Sequence, residues 1–259
     1  MKQKNHKPSA TRYSLTIGWL YPDLMNTYGD RGNIIVLTKR AEWRGISIKI
    51  ENISINTNDE ALNTCDLFFM GGAQDTQQEI VNRDLLKHKG KILIQKIENG
   101  TPGLFICGAY QFLGKYYKTA DDITLSGLGL FDMFTNNSGR QVQRLIGNVR
   151  VKPTAAGLSQ TLVGFENHGG RTHLLHKSQR LGDVITGYGN NGKDGSEGIV
   201  YKNAFGTYLH GPILPKNPEL ADLLLSTALN HKYKKAISLA PLDDSIEQKA
   251  REQIILRIK

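Results

Sequence analysis

Cysteine is scarce in this chain: Cys65 and Cys107 are the only two in 259 residues. Both lie against apolar, strand-like runs, which excludes a disulfide framework and suggests a reducing compartment. No apolar run reaches membrane-spanning length, and the N-terminal segment lacks the apolar centre of a secretory signal, so the expected location is the cytoplasm. A Gly-x-x-x-x-Gly-Lys-Ser/Thr loop is missing, as is any other pattern that cradles a nucleoside triphosphate. Internal repeats, low-complexity tracts and linkers are also lacking, which leaves one folding unit. No metal site is expected.

What is present is ordinary globular material, 39% hydrophobic and 22% charged, long enough to bury a full-sized core. The formal net charge is +9, but the positive residues are scattered, with small clusters at Lys2, Lys4 and Lys7 and at Lys232, Lys234 and Lys235. Aromatic residues do not interleave with them as a nucleic-acid surface would require. The charge reads as a solvated surface, with a phosphorylated substrate or an acidic membrane face as the alternative.

Residues 1–12 read as a disordered basic tail and 13–259 as one domain. A first strand (14–21) leads through the polar loop Tyr28-Gly29-Asp30-Arg31-Gly32-Asn33 to a helix carrying Ile34, Leu37 and Ala41, which Gly45 ends. Ile46 to Ile50 alternates as a second strand, so the chain opens as a βαβ unit of a parallel sheet. A buried strand (66–70) runs into Gly71-Gly72-Ala73, followed by helical segments through Leu85-Leu86 and from Ile92 to Ile97. Beyond Thr119 the texture becomes short strands and Gly/Asn-rich turns. A short strand is expected over Leu128–Leu130, another from Arg144 to Val149, and a strand entering a glycine loop over Val163–Arg171. Gly198–Tyr201 then pairs with Phe205–Leu209, before a helix from Pro218 and an amphipathic C-terminal helix from about Asp244. The fold class is α/β, a mostly parallel sheet with an antiparallel extension.

The organising stretch is Gly103-Leu104-Phe105-Ile106-Cys107-Gly108-Ala109-Tyr110-Gln111. An apolar strand ends in a cysteine, a glycine turns the chain, and a helix begins at once. A thiol there sits outside the carboxyl end of a sheet strand and at a helix N-terminus, whose dipole and free N–H groups favour the thiolate. The bland alternative is a buried structural cysteine. Two other strand ends can converge on it, Gly71-Gly72 and His210. A cysteine nucleophile needs a base and an oxyanion site; Cys107, His210 and the amides of Gly72 and Gly108 supply those parts, which points to acyl transfer through a thioester.

The elbow resembles that of class I (triad-type) glutamine amidotransferases, and Gly206-Thr207-Tyr208-Leu209-His210-Gly211-Pro212 resembles the strand carrying their histidine. With Val163-Gly164-Phe165-Glu166-Asn167-His168-Gly169-Gly170-Arg171, the pattern is similar to the cobyric-acid-synthase-like branch, and within it to the glutaminase subunits of lipid II isoglutaminyl synthases. The resemblance runs from Gly32-Asn33-Ile34-Ile35 through Leu214-Pro215-Lys216-Asn217. It implies a three-layer, flavodoxin-like fold in which Cys107 attacks the side-chain amide of glutamine and His210 shuttles the proton. Gly72 and Gly108 would give oxyanion amides, while Arg144 and Gln111 would bind substrate; a guanidinium suits the α-carboxylate because it grips with two parallel hydrogen bonds.

One position departs from the class I pattern: the glutamate expected two residues after the histidine is Pro212. The third catalytic residue is therefore open, with Glu166 and Asp75 as candidates. Amide synthesis needs an activated carboxylate, and this chain shows no ATP-binding motif, so ATP and metal are expected on a partner. The resemblance makes that partner a Mur-ligase-like synthetase, forming a heterodimer that amidates the D-glutamate of the lipid II stem peptide; the chain itself would be at most peripheral at the membrane face. The rival readings are amidotransfer to another acceptor of the cobyric-acid type, a cysteine peptidase of the related superfamily, and a subunit with an inactive pocket.

Overall fold

The structure is a computed structural model that describes residues 12–73, 75–139, 141–176 and 178–258, without the side chains of residues 75 and 76. Nearly all of the basic tail expected at residues 1–12 lies outside the described residues.

Strands β1 (Tyr13–Leu20), β2 (Ile46–Ile53), β3 (Leu67–Met70) and β4 (Gly103–Ile106) alternate with helices α1 (Arg31–Glu42), α2 (Asp75–Asp84) and α3 (Gly90–Glu98). The elbow helix α4 (Gly108–Leu113) follows, and then the strand-rich half: β5 (Tyr116–Lys118), β6 (Thr124–Ser126), β7 (Met133–Asn137), β8 (Leu145–Pro153), β9 (Leu162–His168), β10 (Gly170–Leu174), β11 (Gly182–Thr186) and β12 (Ser196–Glu197). The chain closes with β13 (Ile199–Tyr201), β14 (Ala204–Thr207), α5 (Pro218–Tyr233) and α6 (Ser245–Arg257).

The main sheet has six strands in the order β13-β14-β4-β3-β1-β2. All its pairs are parallel except β13 with β14. Every residue of β3 and β4 is buried, which explains their unbroken apolar runs, whereas edge strand β2 alternates with solvent. The connection from β1 to β2 moves one way across the sheet and that from β3 to β4 the other. Right-handed crossovers therefore place α1 on one face and α2–α3 on the opposite face. Helix α5 packs on β1 and β3 beside α1. Arg40 of α1, almost fully buried, ties these helices to the C-terminal segment through Asp222 and Asp244.

The second half forms two further four-stranded sheets, β10-β7-β5-β6 and β12-β11-β8-β9. Four local expectations change. Leu128–Leu130 is not a strand: the amides of Leu128 and Gly129 bond to Phe112 and Gly114, so this stretch caps the exit of α4. Gly169 and Gly170 do not open a loop but bend β9 directly into β10, which pairs with β7. The helical pieces around Leu85 and Ile92 are continuous, joined by a π-helical turn over Leu85–Lys89. There the buried Lys89 ammonium donates to Asp84 (2.7 Å) and to the Ile55 carbonyl (3.1 Å), satisfying a charge that could not otherwise be enclosed. Helix α6 buries only Arg251, leaving Ile246 and Leu256 exposed, so it is not the amphipathic helix its sequence suggests. No helix among the described residues is long and apolar enough to cross a membrane.

Candidate active site

Four adjacent strands of the main sheet run parallel: β14, β4, β3 and β1. Their carboxyl ends lie side by side and lead respectively to His210, Cys107, Gly71-Gly72 and the loop ending at Asp30. Residues scattered over 180 positions of sequence are thus gathered along one sheet edge, where open α/β sheets place their ligands.

Cys107 ends β4 in a backbone conformation with φ 53° and ψ −105°, sterically costly for any residue with a side chain. The surroundings impose it. Its N–H donates to the Thr207 carbonyl (2.9 Å), continuing the β4–β14 ladder, while its carbonyl already accepts the first α4 bond from Gln111 N–H (3.0 Å). One residue serves both strand and helix, and the side chain is turned out at the helix N-terminus. Cys65, in contrast, is fully buried, and burial pushes its thiol up to about 11.

His210 is fully buried beside this elbow, its backbone pinned to Phe165 of β9 by a reciprocal bridge. Its Nδ1 lies 3.7 Å from Oδ1 of Asp30, which is also fully buried. Burial alone would lower the imidazole pKa; the Cys107 thiolate and the Asp30 carboxylate more than offset this and raise it to about 10. The site therefore favours a protonated His210, set between Cys107 and a buried carboxylate. The double glycine is a steric requirement. A Cβ on Gly71 would stand 2.5 Å from the Met25 carbonyl oxygen, and one on Gly72 would stand 3.0 Å from His210 Cε1 and 3.3 Å from Cys107 Cβ.

These groups open into a cavity of about 340 Å³ that is also lined by Gln111, Arg144, Asn167, Tyr28 and His168. Gln111 is buried and commits its Nε2 to the Tyr208 hydroxyl (3.0 Å), while its Oε1 has no protein partner. Arg144 stands exposed at the mouth, held by Nε to Asn167 Oδ1 (2.8 Å) and by Nη2 to the Asn167 carbonyl (2.9 Å). Asn167 in turn donates to the Tyr28 hydroxyl (2.7 Å), and the Tyr28 ring meets His210 edge-on at 5.1 Å. Gly72 lines the cavity, but its N–H donates to Asp30 Oδ2 (2.7 Å) rather than into the open space. Gly108 supplies the first amide of α4, and a Cβ built on it would lie 3.5 Å from the Ala73 nitrogen, so the Ala73 and Gly108 backbones adjoin each other.

Residues 16–218 match the model of the CobB/CobQ-like glutamine amidotransferase domain. The chain belongs to that family. It is 44% identical to the lipid II isoglutaminyl synthase (glutamine-hydrolyzing) subunit GatD of Staphylococcus aureus, over 95% of this chain and 96% of that one. To the subunit of the same name from Streptococcus pneumoniae it is 41% identical, over 93% of this chain and 90% of that one. A probable cobyric acid synthase of Methanococcus maripaludis is 32% identical over 74% of this chain but only 38% of its own length. Among solved structures, the glutaminase domain of Trypanosoma brucei CTPS with bound acivicin aligns with a TM-score of 0.53 at 11% identity, covering 87% of this chain and 96% of that one; the likeness is one of fold. The chain is thus a glutamine amidohydrolase with the α/β fold of class I amidotransferases.

In this CobB/CobQ-like chain the third-residue candidates fare differently from the sequence reading. Glu166 is buried, accepts from the amides of Tyr188 (2.7 Å) and Gly189 (2.9 Å), and lies 3.5 Å from His168 Nε2. Its partners are thus a loop and a different histidine. Burial raises its carboxyl to about 7 and lowers His168 to about 3, and the neutral His168 ring stacks on Tyr208 at 3.6 Å. The side chain of Asp75 lies outside the described ones. The carboxylate that does face His210 is Asp30, which the sequence reading passed over. Its signal was a charged residue in a glycine loop following the carboxyl end of a parallel strand. Pro212, at the position of the class I glutamate, is a packing residue: a Cβ on Gly32 would meet its Cγ at 2.4 Å, so the histidine turn closes directly onto α1.

Proposed function

We propose that this chain is the glutaminase subunit of a lipid II isoglutaminyl synthase, acting through a Cys107 thioester. Glutamine enters with its α-carboxylate against Arg144 and its side-chain amide over the elbow. The Cys107 thiolate adds to the amide carbon, and the oxyanion is received by the N–H groups of Gly108 and Ala73; Gly72 helps by leaving room and by holding Asp30. As the C–N bond breaks, His210 gives its proton to the departing nitrogen and ammonia leaves a γ-glutamyl thioester. His210, now neutral, takes a proton from water, whose oxygen attacks the thioester carbon; the C–S bond breaks, and glutamate and the thiolate are restored. Asp30 stabilises the imidazolium at both proton transfers. Gln111 Oε1, an acceptor with no protein partner, receives a donor from the substrate.

The observation that carries this reading is the convergence of Cys107, His210 and Arg144 on one cavity. The acceptor is argued from the two relatives named as lipid II isoglutaminyl synthase subunits, which match nearly end to end, whereas the cobyric acid synthase match spans a minority of that protein. Ammonia would pass to an ATP-dependent, Mur-ligase-like synthetase subunit, forming a heterodimer in the cytoplasm that amidates the stem-peptide D-glutamate. Metal and nucleotide would reside on that partner. The test is glutamate formation from glutamine by the wild-type chain beside Cys107→Ala, each alone and with the synthetase subunit. Activity in the wild type and none in the variant is expected; equal rates in both would end the thiol mechanism.

A further inference from the structure

Lys216 stands one turn beyond His210, in the short 3-10 turn Leu214–Lys216, and its side chain folds back over the histidine loop. Its ammonium donates to three consecutive backbone carbonyls, those of His210 (3.2 Å), Gly211 and Pro212 (3.0 Å). An ammonium has three N–H donors, so all of them are used. No carboxylate lies within ion-pair distance of Nζ among the described residues, and burial pulls the amine down to about 8, with the Asp30 charge opposing. A lysine that forgoes a carboxylate for three carbonyls is serving the backbone that presents them.

That backbone is the one that aims the base. Gly211 turns with φ +75°, and three successive carbonyl oxygens converge on one point. Without a cation their dipoles would face each other in a half-buried turn. Pro212 has no N–H, and the carboxylate that class I enzymes carry at that position is missing. The His210 carbonyl is shared between Lys216 and the Phe165 amide, so its peptide is clamped from both sides.

We infer that Lys216 is the positioning residue of the catalytic histidine, holding the His210–Pro212 turn so that the imidazole lies between Cys107 and Asp30. The inference rests on the glutaminase reading above. Lys216 touches neither substrate nor thiol; it acts through the register of the histidine peptide.

The test uses Lys216→Met, Lys216→Gln and Lys216→Arg in a Cys65→Ser background, so that only Cys107 reports. Glutamate release is measured with the synthetase subunit present, and Cys107 alkylation by iodoacetamide is followed against pH on the chain alone. A base displaced by a fraction of an ångström should lower kcat by about 10- to 100-fold for Lys216→Met while KM changes by less than about threefold. The alkylation midpoint should move up, because a displaced imidazolium no longer supports the thiolate. Lys216→Arg, still a cationic donor to carbonyls, should recover part of both. Folded Met and Gln variants with wild-type kcat and an unshifted alkylation profile would overturn the inference. So would loss of folding in all three, which would make Lys216 a stability residue. If the wild type releases no glutamate even with its synthetase, the glutaminase reading fails instead, and the alkylation profile still decides whether Lys216 positions His210.

Discussion

Asp30→Asn is the substitution that most directly probes how the site works. The side chain is fully buried, and its two oxygens have separate tasks: Oδ2 accepts the Gly72 N–H at 2.7 Å, while Oδ1 faces His210 Nδ1 at 3.7 Å. An asparagine of the same shape can still accept from Gly72, so the glycine loop should keep its course. What disappears is the charge beside the imidazolium. Two unit charges about 4 Å apart at an effective dielectric of about 20 interact by about 4 kcal/mol. If that stabilisation is fully used in the transition state, its loss corresponds to about a thousandfold in kcat. Because the contact exceeds hydrogen-bond length, a fall of about 100- to 1000-fold is expected, with KM little altered because Asp30 does not touch the substrate pocket. The second readout is the pH profile of Cys107 alkylation. His210 is held up to about 10 partly by Asp30. Its loss lowers the histidine pKa, withdraws the positive partner from the thiolate and moves the alkylation midpoint to higher pH. A variant with kcat within about threefold of wild type and an unmoved profile would refute the argument, reducing Asp30 to an acceptor for Gly72.

Gly72→Ala should leave a folded chain with strongly reduced turnover, since the added methyl would lie 3.0 Å from His210 Cε1 and 3.3 Å from Cys107 Cβ; a glutaminase assay with circular dichroism separates the two effects, and undiminished kcat would contradict the packing described. Stability should also depend on pH through Glu166 and Glu197, both buried and both raised from 4.5 to about 7 by burial. A carboxyl raised on folding contributes stability that is full below its unfolded pKa and lost as pH climbs through the folded value. The unfolding free energy should therefore fall as pH rises from about 5 to about 8, by an amount on the order of a few kcal/mol, and the thermal midpoint should fall with it. Glu197→Gln should flatten that slope, and an unchanged slope would count against the burial argument.

The nucleophile elbow and the histidine strand were legible because each is written locally: an apolar run, an abrupt turn and a helix start put Cys107 at a strand end, and the same holds for His210. Gly71-Gly72 was readable as a close approach, but the direction of its amide was not, since the acceptor, Asp30, comes from the loop after β1. Asp30 itself looked like any polar loop residue, whereas Glu166 attracted attention as a carboxylate inside a recognisable string. Only folding shows that β9 directs Glu166 toward Tyr188 and Gly189. Helix α6 was misjudged: its apolar residues do not gather on one face, and Arg40, bonded to Asp244, anchors the segment by charge rather than by an apolar face.

By itself, then, the sequence determined the βαβ opening, the parallel core and the placing of Cys107 and His210 at strand ends, because these depend on neighbours within a few residues. Tertiary structure alone decided which carboxylate faces His210, where the Gly72 amide points, and which side chain bonds the carbonyls of residues 210–212. Those are set by the strand order β14-β4-β3-β1, which brings residue 30 beside residue 210. Local pattern carries no record of that adjacency, because the pairing of distant strands is a property of the whole sheet.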